Sequence, residues 1–231
     1  MSIGTLNEGP LHQALKSLYT AEDAVQEVSV GSYVADVRGA DDVLYEIQTG
    51  GFANLKKKLG TLVEQHRVVL VHPIAKVRYI VKLPVGEDEE ATRRRSPKRG
   101  CIADIVSELV SIPQLLNHPN FELEVVLIEE DEFRVFEPKK VRGRRGWRVV
   151  QRRLVEVLEK HRFCSAADLF CLVPGELPDT FTTLDLAEAM QQPRWMAQKL
   201  AYCLREAGEI TLCGKEGNAL CYAMSKGADS L

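Results

Sequence analysis

Two runs rich in β-branched and aromatic residues, Ser32–Arg38 and Asp42–Gln48, constrain the fold of this chain more than any other feature. The turn residues Gly39–Asp41 separate them, which predicts an antiparallel β-hairpin. Because successive side chains of a strand point to opposite faces, Glu46 and Gln48 are expected to share one face. The apolar residues of the same strand share the other face: Val43, Tyr45 and Ile47.

Asp36 interrupts an otherwise apolar neighbourhood on the first of these strands. A carboxylate buried alone is costly, so Asp36 is expected to have a cation or a hydrogen-bond donor nearby. Glu46 lies one strand over, and two carboxylates that converge without a cation repel each other. Two such carboxylates can share one hard divalent cation, with the Gln48 amide reaching the same space. The hairpin therefore predicts a metal site.

Asp36 followed by Glu46-x-Gln48, on a hairpin that a helix precedes and the amphipathic stretch Phe52–Gln65 follows, resembles the PD-(D/E)XK nuclease superfamily. The resemblance covers residues 6–83. It implies an α/β protein with a restriction-endonuclease-like mixed sheet flanked by helices, and DNA cleavage with Mg²⁺ or Mn²⁺. Asp36 and Glu46 would hold the ion, while Gln48 would orient the attacking water or a phosphate oxygen.

The sequence departs from the usual pattern of that superfamily at two positions. Ala35 stands where proline is usual, and Gln48 stands where lysine is usual. Some superfamily members that cut DNA carry glutamine there. Because glutamine accepts no proton near neutral pH, the metal would have to supply nearly all of the activation.

Three further residues near the hairpin have two interpretations each. Glu8 precedes a helix predicted over Pro10–Tyr19, and the first helix of superfamily members often supplies a glutamate ligand; the alternative is an acid favoured by the helix dipole. Lys58 either reaches a phosphate near Gln48 or lies on a solvated helix face. His12 is interpreted as packed or solvated rather than catalytic.

Composition favours a folded protein whose attraction to nucleic acid is local. Apolar residues make up 45% of the 231 residues, enough for sizeable cores, and the net charge is only −3. Basic residues cluster at Arg93–Arg99 and again between residues 139 and 153. The six cysteines form no C-x-x-C pair, which disfavours a zinc site and favours a reducing cytoplasm. No run is long and apolar enough for a membrane span, and no signal peptide is evident.

The chain is predicted to contain a nuclease-like domain over residues 1–138, a basic linker over 139–148 and a winged helix-turn-helix domain over 149–231. The C-terminal part resembles the winged-helix family because it predicts helices followed by a β-hairpin. Its helices are predicted over Val150–Glu159, Ala166–Leu172, 182–187 and 193–206, with strands over Glu209–Cys213 and Ala219–Met224. Six residues are candidates for DNA contact: Arg144, Arg145, Arg148, Arg194, Gln198 and Arg205.

Four further predictions concern the first domain. Residues Arg67–Val71 and Val77–Leu83 are read as two strands, and Gly86–Arg99 as a charged loop. A helix is expected over Cys101–Leu116, bent or ended by Pro113. Phe121–Ile128 and Glu132–Phe136 are expected to form a hairpin across an acidic turn.

The leading hypothesis is a metal-dependent DNA nuclease. The alternative is a catalytically inactive protein of nuclease fold that binds DNA and regulates or scaffolds, and a third reading is a protein-interaction module in which the acid pair is structural. Nucleases of the superfamily that cut both strands commonly work as dimers, so a homodimer is one of the expected oligomeric states.

Overall fold

The computed structural model describes residues 9–21, 23–141 and 144–225, with the side chain of Arg144 left out. Within these ranges seven strands form one large sheet, ordered β1-β2-β3-β4-β6-β7 with β5 paired to β4. The strands are β1 (Val25–Val30), β2 (Tyr33–Arg38), β3 (Leu44–Ile47), β4 (Val68–Lys82), β5 (Thr92–Arg95), β6 (Phe121–Phe136) and β7 (Trp147–Phe163). The α/β class and the helix-flanked mixed sheet are confirmed.

The predicted hairpin and its two flanking helices are present. Strands β2 and β3 pair antiparallel, with Val37 opposite Tyr45. Helix α1 (Pro10–Leu18) precedes them, and its proline stands in the first turn, where a missing N–H costs nothing. Helix α2 (Lys56–Leu62) follows after the 3₁₀ turn Ala53–Leu55.

The core of this region forms between helix α1 and the sheet. Leu11 and Leu15, one helical turn apart, are buried at 4% and 0% exposure, and they belong to one cluster with apolar residues of β3, β4 and β6. Burying a leucine or isoleucine stabilises by about 1.5–3 kcal/mol, so this cluster fixes helix α1 on the hairpin. Its buried members are Leu11, Leu15, Val43, Ile47, Val69, Val71, Val126 and Ile128.

In two places where the sequence predicts two successive strands, the structure has one long strand. Residues Arg67–Val71 and Val77–Leu83 fall in or beside one continuous strand, β4. Strand β6 likewise runs without a turn through Phe121–Ile128 and Glu132–Phe136, so the predicted hairpin there is wrong.

The acidic run continues strand β6 because arginines on other strands neutralise it. Glu130, Asp131 and Glu132 are only 1%, 2% and 1% exposed. Arg78 Nε lies 2.6 Å from Glu130, and Arg153 lies 2.8 Å from Asp131. Buried carboxylates need cationic partners of this kind. Because the arginines supply them, the acidic residues can stay in a buried strand and need not lie in a solvated turn.

The predicted helix Val150–Glu159 is wrong, since these residues lie in strand β7. Leu154 and Val157, which suggested helical spacing, pack instead against the core beside helix α1. Part of the predicted loop Gly86–Arg99 is also a strand, β5, with Tyr79 opposite Arg95. Tertiary packing overrides local propensity in both segments.

The helix predicted over Cys101–Leu116 is broken into short pieces. They are the 3₁₀ turn Ile102–Ile105, helix α3 (Val106–Leu109) and the 3₁₀ turn Pro113–Leu115. Proline lacks a backbone N–H, and Pro113 stands at the start of the last piece, where that donor is not needed.

The C-terminal region contains a helix–turn–helix followed by a hairpin. A 3₁₀ helix (Ala167–Leu172) precedes β8 (Thr180–Phe181), α4 (Thr183–Met190), α5 (Arg194–Glu206), β9 (Ile210–Glu216) and β10 (Ala219–Met224). Strand β10 lies between β8 and β9. Thr182 and Asp185 form a reciprocal capping box at the start of α4, and hydrogen bonds from Thr182 lower the pKa of Asp185.

The chain divides into two compact units, each assembled from three segments. The first contains residues 1–49, 69–101 and 124–161, and the second contains 50–68, 102–123 and 162–231. These segments differ from the contiguous division expected at residues 139–148. No helix within the described ranges is long and apolar enough to cross a membrane.

Candidate functional site

Asp36 and Glu46 occupy neighbouring strands at the end of the hairpin's ladder. The antiparallel pairing of β2 and β3 ends at Val37 and Tyr45, so Asp36 and Glu46 are the next residue on each strand. Glu46 is 5% exposed, which makes it one of the buried carboxylates of the described residues. Asp36 on β2 and Glu46 on β3 therefore lie on adjacent strands of the sheet.

Asp36 has the donor and cation that its position in mid-strand predicted. One carboxylate oxygen, Oδ2, accepts the backbone N–H of Ile47 at 2.7 Å and lies 3.4 Å from His12 Nε2. The other, Oδ1, lies 4.0 Å from Lys16 Nζ. Helix α1 carries both basic residues one turn apart, so the helix that packs on the hairpin also sets its electrostatics.

Lys16 is a buried ammonium shared between two carboxylates. It is 3% exposed, and its Nζ lies 3.4 Å from Glu27 Oε1 as well as near Asp36. A lysine is almost never buried unless it is paired, so these two acids are what allow it to stay there. The sequence pattern suggested no such role, because Lys16 sits among apolar residues at helical spacing.

Gln48 is held by its backbone to strand β4. Its N–H donates to Val71 O at 2.9 Å, and its carbonyl lies 2.7 Å from His72 Nδ1. A carbonyl oxygen only accepts, so Nδ1 of His72 carries the proton, and in the neutral ring Nε2 is then an acceptor.

Sequence reasoning missed two histidines at this site. His12, which the sequence predicts to be packed or solvated, is half-buried with its Nε2 3.4 Å from Asp36 Oδ2. His72 was not considered, and the available signal was its position directly after the buried run Val68–Val71 on the strand next to β3.

The carboxylate and amide oxygens of the hairpin are the kind of ligand that a hard divalent cation prefers. Mg²⁺ keeps several waters and is commonly held by one or two carboxylates, a role that Asp36 and Glu46 are expected to fill, with the Gln48 amide nearby in sequence. Within the described residues no group of three or more His, Cys, Asp or Glu side chains is arranged to hold a metal ion. Glu8, the predicted third ligand, lies outside the described residues.

The remaining predicted residues fall into two groups. Lys58 is half-buried on helix α2, which belongs to the second unit. Arg145 is exposed and has a left-handed φ of 52° just before β7. Arg148 is paired with Glu137, and Lys140 and Arg148 hold the pKa of Glu137 below its ordinary value. The side chain of Arg144 is outside the described part of the chain.

Helix α5 presents the polar face that its spacing predicted. Arg194, Gln198 and Tyr202 are exposed, and Arg205 is half-buried. Arg194 Nε donates to Thr183 Oγ1 at 3.3 Å, and Arg205 pairs with Glu206 at 2.9 Å. The opposite face buries its apolar residues: Met196, Ala197, Leu200, Ala201, Cys203 and Leu204.

Comparison with known proteins gives one family and one relative. A family model described as a domain of unknown function (DUF8091) matches residues 9–164. A protein of Treponema pallidum (strain Nichols), described as uncharacterized, is 33% identical over 189 residues, covering 81% of this chain and 74% of its own. No solved structure matches.

Proposed function

The chain belongs to the DUF8091 family, a domain of unknown function, and we propose that it is a metal-dependent nuclease acting on DNA. The observation that carries the proposal is the hairpin whose adjacent strands carry Asp36 and Glu46, with helix α1 before it and helix α2 after it in the sequence. This arrangement is the one that the resemblance to PD-(D/E)XK nucleases implies. In the proposal the large sheet is a restriction-endonuclease-like sheet.

The residues of the hairpin have distinct roles in the proposed reaction. Asp36 and Glu46, with Glu8, would hold Mg²⁺ or Mn²⁺. When bound, such an ion polarises the scissile phosphate and lowers the pKa of an attacking water. Lys16 offsets the charge of Asp36, and His12 lies against the same carboxylate and orients it. The Gln48 amide would orient water or a phosphate oxygen.

The C-terminal region supports a DNA-binding role in the same proposal. Helices α4 and α5, followed by the β9–β10 hairpin, have the element order of a winged helix-turn-helix. The exposed side chains of α5 are suited to base edges and phosphates, and Arg194, Gln198 and Arg205 are the proposed contacts.

The proposal predicts metal-dependent cleavage by the unmodified protein. Supercoiled plasmid, linear duplex and single-stranded DNA would each be incubated with EDTA, Mg²⁺ or Mn²⁺, and the products separated on gels. We expect cleavage of at least one form only when a divalent ion is present, and a higher Tm with Mn²⁺ because the ion binds the folded state. A protein that cuts no form, and whose Tm ignores millimolar metal, would contradict the nuclease reading.

One observation favours a second candidate function, a catalytically inactive nuclease fold that binds DNA. The ammonium of Lys16 lies 4.0 Å from Asp36, so a positively charged group already lies beside one of the two carboxylates proposed to hold the metal ion. In that case DNA binding persists without cleavage, and the same assays distinguish the two functions.

Binding to DNA is expected to depend steeply on salt, with Arg145 among the contacts. Each phosphate contact contributes about 0.9 to the slope of log K against log salt, so Arg145→Ala should lower the slope by about one unit. Fluorescence anisotropy of a labelled duplex between low and moderate salt measures it. The Arg144→Ala/Arg145→Ala double variant extends the test.

Arg67→Ala is the matched control for this measurement. Arg67 is exposed but already paired with Glu122 at 3.2 Å, so its removal should leave the slope unchanged. If the slope is unchanged in Arg145→Ala, the bound DNA does not contact the segment before β7 through Arg145.

A further inference from the structure

A pocket of about 240 Å³ lies in the first unit where the start of helix α1 meets the start of strand β7. We name it the α1–β7 pocket. Its lining residues are Gly9, Pro10, Leu11, His12, Thr49, Val149, Val150, Gln151 and Arg152. The sequence pattern does not predict this pocket, because it predicts that residues Val150–Glu159 of β7 form a helix in another domain.

The walls of the α1–β7 pocket combine apolar surface with a few polar groups. Pro10, Val149 and Val150 offer apolar contact, whereas Thr49 and Gln151 offer a hydroxyl and an amide that can both donate and accept. Small-molecule sites typically have this composition. A nucleobase removed from its stack needs the same combination, namely apolar contact on its faces and hydrogen bonds at its edge.

Arg152 supplies a positive charge that no carboxylate of the described residues neutralises. Its neighbours along the basic segment are engaged, since Arg148 pairs with Glu137 and Arg153 lies 2.8 Å from Asp131. Within the described ranges Arg152 makes no ion pair and its side chain is exposed. A guanidinium in this state is available for a phosphate, which it can bind with two parallel hydrogen bonds.

The α1–β7 pocket adjoins the candidate catalytic hairpin. His12 lines the pocket, and its Nε2 lies 3.4 Å from Asp36. Thr49, another lining residue, directly follows Gln48. If a nucleotide of a DNA strand occupied the pocket, the sugar-phosphate backbone of that strand would carry a neighbouring phosphate toward the hairpin.

We infer that the α1–β7 pocket binds one unstacked nucleotide of the DNA substrate, with its phosphate on Arg152. This inference rests on the proposed nuclease function and narrows its substrate to single strands or strand ends. An intact duplex keeps its bases stacked and paired, and releasing one costs a few kcal/mol.

The pocket is tested by binding, separately from cleavage. Isothermal titration with dAMP and with inorganic phosphate would be carried out on the full chain in EDTA, so that no metal chemistry contributes. We expect dAMP to bind more tightly than phosphate, because the base adds contacts that phosphate lacks. Arg152→Ala should weaken dAMP binding about tenfold, and Val150→Trp should abolish it by filling the pocket.

Arg153→Ala is the matched control, since Arg153 is paired with Asp131 and does not line the pocket; it should bind dAMP as the unmodified protein does. Arg152 is exposed, so its variant tests the pocket even if Val150→Trp fails to fold. No binding of dAMP at millimolar concentration, or binding that both pocket variants leave unchanged, overturns the inference.

The outcome for the pocket is separable from the outcome for the nuclease. If the protein binds dAMP, the pocket variants disrupt that binding and no DNA is cut, the nucleotide pocket is supported and the nuclease function is contradicted. If the protein cleaves intact duplex preferentially in a metal-dependent reaction and does not bind dAMP, the nuclease function is supported and the nucleotide pocket is contradicted.

Discussion

Asp36→Asn and Glu46→Gln are each expected to lower metal-dependent DNA cleavage by at least about a hundredfold. Groups that only orient a metal ligand are commonly worth about 10–100-fold, so the loss of a ligand itself should cost no less. Both substitutions keep the shape of the side chain and remove its charge. Initial rates with Mn²⁺ on the DNA form that the unmodified protein cuts best would measure the effect.

The two variants are expected to differ in stability. Asp36 accepts the Ile47 N–H and lies near Lys16, so Asp36→Asn removes a negative charge beside a buried ammonium and should cost about 1–3 kcal/mol. Two acids repelling each other, which the sequence alone suggested, would have given no loss. Urea unfolding without metal measures this difference.

Glu27→Gln is the matched control. It removes the other carboxylate near Lys16, at 3.4 Å, but lies on strand β1 outside the hairpin. It should lose stability as Asp36→Asn does and keep full cleavage. If Glu27→Gln and Asp36→Asn lose activity equally, Asp36 acts through the fold and the metal-ligand role is wrong.

The N-terminal elements could be predicted from the sequence because their signals are local. Helix α1 and the hairpin each carry their own periodicity or turn, and both are present at or within a residue or two of their predicted bounds. The same local rules placed Asp36 and Glu46 on adjacent strands. They could not reveal Lys16, since its partner Asp36 is identified only after the helix is packed on the sheet.

The long strands could not be predicted because their determinants lie far apart in the chain. The acids of β6 suggested a turn, and only pairing with Arg78, Arg93 and Arg153 explains why they stay in a strand. Strand β7 has apolar residues whose spacing fits a helix equally well, and contact with the core decides between them. The α1–β7 pocket was hidden by the same error.

Arg78→Ala is expected to cause the largest loss of stability among the substitutions considered, about 3–5 kcal/mol, because it leaves a buried charge without compensation. Glu130 is 1% exposed, and Arg78 Nε, at 2.6 Å, is its only ion-pair partner within the described residues. Arg78 also lies 3.5 Å from Glu132, which keeps Arg134 as a second partner. The loss should therefore come mainly from Glu130, and chemical denaturation would measure it.

Two further variants separate this charge effect from lost packing. Arg93→Ala should cost much less, because Asp131 keeps Arg153 at 2.8 Å when Arg93 is removed. Adding Glu130→Gln to Arg78→Ala removes the uncompensated charge and should restore part of the stability, giving a clear coupling in a double-mutant cycle. If the double variant is no more stable than Arg78→Ala alone, the arginine stabilises strand β4 through its alkyl chain. The buried acids of β6 would then have to be compensated by the backbone rather than by charge.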